Sequence, residues 1–365
     1  MQKRSVLLYC MYMGIVLNCY AKEYACNVTR IVRSRKLEKK KTEKIGEAFL
    51  KKQAREEKQR AKQAGQKVKD AHVQAYHELI TIPFAGTFKD QVFEKTISSK
   101  LLEKKLENYI PSKNYRIVVV VTSYNNANWY ERNLASIYGQ DYENYSVLYI
   151  DDASPDGTSK LVTQYVKQQG QDSRTVIVSN KTRLGANANW YYGVNSLPSD
   201  VIVVAMDGDD WYAKKTVLSL INKIYNKYDV LVTYGSSQIY PYRECNSGSF
   251  QISKEVIKNN AFRQVAGWSP TQLRTFKAGL FHRIKKEDFM YEGKFIPTNY
   301  DCVQMFPMLE MAGFRSMYIP DVLYIYNQAT AINDFKVFAK EQSFFGKYIR
   351  QSKEKYSPLP QDVQY

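Results

Sequence analysis

The pattern of hydrophobic and polar positions changes character near residue 116. From there on, short β-branched runs alternate with segments of helical spacing. Ile117–Thr122 reads IVVVVT, an unbroken apolar run suited to a central strand buried on both faces. Tyr124–Asn126 is a turn, and WYERNLASIYGQ after it predicts a helix. Tyr145–Ile150, Thr175–Val178 and Val201–Ala205 predict three more strands, with helices between them over residues 159–169 and 187–197. Such alternation predicts an α/β fold: a mostly parallel, Rossmann-like sheet flanked by helices. A late strand is expected at Tyr324–Asn327 and a C-terminal helix over residues 335–350, with Ser357 onward as tail.

Polar clusters follow the predicted strands. Thr122–Asn125, Asp151–Asp152, Asn180–Arg183 and Asp207–Asp210 each stand directly after an apolar run. In open α/β sheets, ligands bind outside the carboxyl ends of the strands, near a switch in strand order. One acidic cluster alone reads as a helix cap; four polar strand ends on one rim read as a site. Neither a GxGxxG nor a P-loop pattern is present, since Ser123–Asn126 reads SYNN. A nucleotide on this rim would need a metal ion to meet its diphosphate charge.

Charge is spread unevenly over the 365 residues. The formal net charge is +17, yet residues 30–70 alone hold 16 Lys/Arg against 6 Asp/Glu. Residues 22–70 thus read as a basic helical arm, rich in helix formers and free of proline. Its apolar residues are too sparse for a packed face, so a solvated arm is expected, with an anionic membrane surface as its candidate partner. The globular part is not charged as a nucleic-acid binder. Residues 1–21 have a basic start, an apolar stretch and small residues before a cleavage point, the anatomy of a signal peptide or a retained signal anchor. Residues 71–115 are expected to be a helical lead-in. Of the five cysteines, Cys10 and Cys19 belong to the signal segment; Cys26, Cys245 and Cys302 form neither a disulfide framework nor a zinc pattern. Asn27, Asn144 and Asn180 begin glycosylation sequons, of which Asn180 would crowd the rim and is expected to be unused.

Four motifs in order carry a resemblance: VVVVTSYNN (118–126), YIDDASPDGT (149–158), NKTRLGANANWYYGV (180–194) and MDGDDWY (206–212). Across residues 116–327 the sequence resembles the family 2 glycosyltransferases of the GT-A fold. The resemblance implies a catalytic domain over 116–330, with 331–365 as C-terminal helix and tail. It implies inverting transfer of a sugar from a uridine or guanosine diphosphate sugar to a glycan, lipid or protein hydroxyl. By position, Thr122 and Tyr124 would lie beside the base and ribose, and Asp152 would contact the base. Arg183 and Asn187 would meet base or diphosphate. Asp207-Gly-Asp209 matches the DxD motif, with Asp209 on a divalent cation, Mn²⁺ or Mg²⁺, and Asp207 shared between donor and metal.

Hard carboxylate oxygens suit such an ion, which stabilises a leaving diphosphate as a Lewis acid. Asp210 either shares this duty or caps a helix beginning at Trp211. Inversion also needs a base for the acceptor hydroxyl. Asp301 matches the family's catalytic aspartate, or caps the helix it precedes; Glu310, then Asp288 and Glu287, are the other candidates. On the acceptor side, Trp268 either stacks on a sugar or fills the core, with Asp288 nearby. Gln272 stands where one branch of the family often has His. Two other readings stay open: a sugar-phosphate nucleotidyltransferase, which lacks its usual glycine-rich signature here, and a non-catalytic nucleotide-sugar-binding protein working through the basic arm. Export to a secretory lumen, periplasm or exterior is expected, or membrane anchoring with the catalytic domain in the cytosol, where nucleotide sugars mainly are; the basic arm favours that topology if the anchor is retained.

Overall fold

The structure is a computed structural model and describes residues 101–365 apart from 243, 246–248, 266–269 and 331–337. The expected signal segment, the basic arm, residues 71–100 of the lead-in and Trp268 lie outside the described residues. Among those described, no helix is long and apolar enough to cross a membrane.

The strands are β1 (Ile117–Ser123), β2 (Tyr145–Asp151), β3 (Thr175–Ser179), β4 (Ile202–Asp207), β5 (Trp211–Tyr212), β6 (Val232–Tyr240), β7 (Glu244–Cys245), β8 (Thr275–Lys277), a β9–β10 hairpin (Met290–Tyr291 and Lys294–Phe295) and β11 (Ser316–Asn327). The helices are α1 (Leu101–Lys105), α2 (Tyr130–Tyr138), α3 (Thr158–Gln168), α4 (Ala186–Asn195), α5 (Val217–Lys227), α6 (Lys254–Lys258), α7 (Ala278–Phe281), α8 (Tyr300–Ala312) and α9 (Ala339–Ser352). The main sheet runs β3-β2-β1-β4-β8-β6-β11-β5, with β7 beside β6. Its long pairings, β1 with β2 and β4, β2 with β3, and β6 with β11, are parallel. The short strands β5, β7 and β8 pair antiparallel. The expected parallel half is thus observed, joined through three-residue β8 to a second half of which only the end of β11, at Tyr324–Asn327, was expected.

Side-chain alternation along the strands divides the core into two layers. Ile117, Val119 and Val121 pack with Val147, Tyr149, Ile202 and Val204 against α2, α3 and α5. Each such buried aliphatic contributes roughly 1.5–3 kcal/mol over its exposed state. The opposite face carries α4, whose Gly193 sits so close that a Cβ there would lie 2.7 Å from Ile150 Cδ1. Residues 101–115 join the fold directly. The buried Asp321 carboxylate accepts from the backbone N–H groups of Leu102 (2.9 Å) and Glu103 (3.3 Å).

The strand order reverses between β1 and β4. Their register pairs Thr122 with Asp207, and on the other side Ser123 pairs with Asp151. Three polar strand ends are therefore level with one another at the switch point.

Candidate active site

The DxD turn is fixed from three directions. Asn133, fully buried on α2, donates from Nδ2 to the carbonyls of Asp207 (3.0 Å) and Asp210 (2.7 Å). Gly208 N–H donates to the Thr122 carbonyl. A Cβ at Gly208 would come within 2.7 Å of Ser123 Cβ and 2.6 Å of Asn126 Nδ2, so this position has room only for glycine. Asp210 faces inward. Tyr324 Oη donates to its Oδ2 at 2.6 Å and Asn327 N–H to its Oδ1 at 2.7 Å. Burial, then repulsion from Asp209 and Asp207, pushes its carboxyl well above the usual range. Asp210 is therefore neither a helix cap nor an open ligand: Trp211 starts strand β5, the next helix begins at Val217, and Asp210 fastens the end of β4 to β11.

Asp207 and Asp209 are partly exposed on the rim. Tyr300 Oη lies 2.6 and 2.8 Å from the two Asp207 oxygens, and Gln272 Nε2 donates to Oδ2 at 3.2 Å. Burial raises the Asp207 pKa, opposed by Arg274 and by these two donors. Among the described residues, no group of three or more His, Cys, Asp or Glu is placed to hold a metal ion with protein ligands alone. Two carboxylates at one strand end, one paying a desolvation penalty, fit a hard divalent cation that brings further oxygens with its substrate.

The second strand end divides its labour between its two aspartates. Asp151 closes its own turn, accepting from Ser154 N–H and Oγ. Asp152 reaches instead to the segment after β3. Its Oδ1 accepts from Asn180 Nδ2 (2.9 Å) and Leu184 N–H (2.8 Å), its Oδ2 from Gly185 N–H (2.8 Å). Arg183 Nε stands 3.9 Å from Asp152 Oδ2, with the guanidinium 3.9 Å above the centre of the Tyr124 ring. Tyr124, Asp152 and Arg183 thus meet beside Thr122. The Asn180 amide is already engaged by Asp152 and Asn189.

Asn187 departs from its expected place at the donor. It is fully buried, and its Nδ2 donates to the carbonyls of Ile296 (2.7 Å) and Thr298 (3.0 Å). It braces the segment leading into α8. Asp301 lies in the first turn of α8, behind an N-cap at Asn299, and its Oδ1 accepts from Cys302 N–H at 2.9 Å. Arg274 Nη1 is 3.6 Å from Asp301 Oδ2, and Arg274 Nη2 donates to Tyr300 Oη at 2.9 Å. Burial works against the Arg274 charge, but Tyr300, Asp301 and Asp207 outweigh it and raise its pKa.

Glu310 is excluded as a base. Arg263 grips both its oxygens, at 2.6 and 2.9 Å, and Tyr356 N–H adds a third bond. Asp288 accepts from Tyr356 Oη on the C-terminal segment. His282 Nε2 is bonded to the Val194 carbonyl, a structural role.

Tyr300 and Arg274 were missed from the sequence. Arg274 did leave a signal: a cation between Leu273 and Phe276 in the mostly apolar LRTFKAGLF, where a buried charge demands a partner.

Comparison with known proteins adds a family. The description "Glycosyl transferase family 2" matches residues 118–284. A Haemophilus influenzae protein named "Uncharacterized glycosyltransferase" is 30% identical over 145 residues, 39% of this chain and 43% of its own length. Glycosyltransferase GlyG of Streptococcus pneumoniae is 23% identical over 58% of this chain and 70% of its own. The chain thus spans less than half of the first of these relatives. Among solved structures, the mannosyltransferase PcManGT of Pyrobaculum calidifontis, in complex with GDP-Man and Mn²⁺, covers 70% of this chain and 71% of its own at 19% identity and TM-score 0.47. TarS of S. aureus in complex with UDP-GlcNAc covers 66% and 68% at 14% identity and TM-score 0.46.

Proposed function

We propose that this chain, whose residues 118–284 form a family 2 glycosyltransferase domain, moves a sugar from a nucleoside diphosphate sugar to a hydroxyl acceptor with inversion at the anomeric carbon. One observation carries the reading: Asp207 and Asp209 share a rim with the Tyr124–Asp152–Arg183 group, and a buried bridge joins Asp207 to Asp301.

Thr122 and Tyr124 hold the nucleoside, with Arg183 free to leave the Tyr124 ring for base or phosphate oxygen. Asp152 shapes that side by fixing the backbone of residues 184 and 185. Asp209, with Asp207, would hold Mn²⁺ or Mg²⁺, which when bound stabilises the charge of the departing diphosphate. Asp301 takes the acceptor hydroxyl proton as that oxygen attacks the sugar carbon opposite the leaving group. Arg274 and the Cys302 N–H hold the Asp301 carboxylate in place for this. The donor is a UDP- or GDP-sugar, the acceptor a glycan, lipid or protein. The N-terminal segment exports or anchors the enzyme, and the basic arm meets an anionic membrane.

The reading is tested by nucleoside diphosphate release from a panel of nucleotide sugars, with Mn²⁺ and with chelator. Metal-dependent release from at least one donor is expected. Absence of release, together with absence of any nucleotide-induced thermal shift, would sink it. Asp301→Asn should lower transfer by at least about 100-fold, the scale of a positioned base, while donor affinity holds. Loss of donor binding instead would make Asp301 structural.

A further inference from the structure

A chain of two hydrogen-bonded links closed by an ion pair runs from the donor side of the site to Asp301. Its two middle members, Tyr300 and Arg274, belong to neither the DxD turn nor the nucleoside-side group. Tyr300 Oη donates to the Asp207 carboxylate and accepts from Arg274 Nη2, whose sister nitrogen faces Asp301. The Tyr300 ring lies parallel to Trp190, 4° between planes and 6.0 Å between centres, and Trp190 is fully buried. The hydroxyl is therefore held in place by packing as well as by its partners. Arg274 Nε, also buried, has no hydrogen-bond partner, so the guanidinium is oriented through its two terminal nitrogens.

We propose that Tyr300 is a positioning residue that ties the donor carboxylate Asp207 to the general base Asp301 through Arg274, so that orienting the metal ligand and orienting the base are one event. The inference rests on the glycosyltransferase reading of the site. Hydrogen bonds behind a ligand carboxylate set its direction, and losing one typically costs 10–100-fold in metal affinity. Tyr300→Phe would keep the stack on Trp190 but leave Gln272 as the donor to the Asp207 carboxylate. It would also remove the acceptor that aims Arg274. Lysine at 274 would keep the charge but lose the fork that reaches Tyr300 and Asp301 together.

The test compares wild type, Tyr300→Phe, Arg274→Lys and, as a control, Tyr225→Phe, which removes another buried hydroxyl, one bonded to Thr275. Mn²⁺ affinity is measured in the presence of UDP and, separately, GDP by the paramagnetic signal of free Mn²⁺; kcat and donor KM are measured beside it. Tyr300→Phe should weaken Mn²⁺ about ten-fold and lower kcat as well. Arg274→Lys should lower kcat while Mn²⁺ affinity and donor KM stay within about three-fold, less than the loss of a ligand's direct support. Tyr225→Phe should move neither. Wild-type Mn²⁺ affinity in folded Tyr300→Phe, wild-type kcat in Arg274→Lys, or equal losses in the control would overturn the proposal. Should Tyr300→Phe not fold, the Arg274→Lys kcat decides. A wild-type protein that neither binds Mn²⁺ with nucleotide nor releases nucleoside diphosphate overturns the glycosyltransferase reading as well, which separates the two failures.

Discussion

Lys277 sits in β8, only 4% exposed, with its ammonium 3.8 Å from the centre of the Tyr115 ring. Burial, helped by the nearby Lys113, lowers its pKa from 10.5 to about 8. Between those values the unfolded chain binds more protons than the folded one, so this group makes stability rise as pH rises from 8 to 10.5. Lys277→Met should remove that slope. At pH 7 the variant should resist denaturant better, by on the order of 1 kcal/mol once solvent screening is allowed for, and the advantage should vanish near pH 10.5. Urea titrations at several pH values check this; a constant offset would refute it. Residues like Asp152 and Asp207 were legible in the sequence because each directly follows an apolar run that had to be a strand. Tyr300 was not, since its bond to Asp207 joins positions 93 apart and no local pattern encodes it. Asp210 was misjudged for a related reason: acid beside acid reads as surface, while its partners Tyr324 and Asn327 come from a strand over a hundred residues later.

At the scale of elements, α8 is held from behind by the C-terminal segment. Arg263 bonds Glu310 in the middle of α8, and also the carbonyls of Ile349, Lys353 and Glu354. Beyond α9 the chain stays attached: Leu359 N–H donates to the Met311 carbonyl and Arg315 Nη1 to that of Val363. The sequence reads as tail here because the contacts use backbone carbonyls, which leave no hydrophobic period. Arg263→Ala would strand a buried carboxylate, an error of about 3–5 kcal/mol. Its melting temperature should fall, and limited proteolysis after residue 352 should be faster than in the wild type. Digestion at the wild-type rate would mean the C-terminal segment is not fastened through this ion pair.

On the scale of the whole molecule, the parallel half was legible because buried parallel strands are long apolar runs. Of the other half only the end of β11 was legible: Gly235–Gln238 breaks the apolar pattern of β6, and strands of two or three residues such as β5, β7 and β8 are too short to show a period. The basic arm invites a prediction of its own. Deleting residues 22–70 should leave metal-dependent nucleotide release from a soluble donor unchanged and abolish sedimentation with vesicles rich in anionic lipid; retained sedimentation would remove the arm from that role. The Asp152 clamp has a practical meaning for redesign. Its grip is on the backbone of residues 184 and 185 and on the side chain of Asn180, whereas Lys181 and Thr182 are exposed and Arg183 lies over the Tyr124 ring. Donor preference can therefore be searched by randomising those three positions as a cassette, with Asp152 and Asn180 kept as the frame that returns every variant loop to the same path.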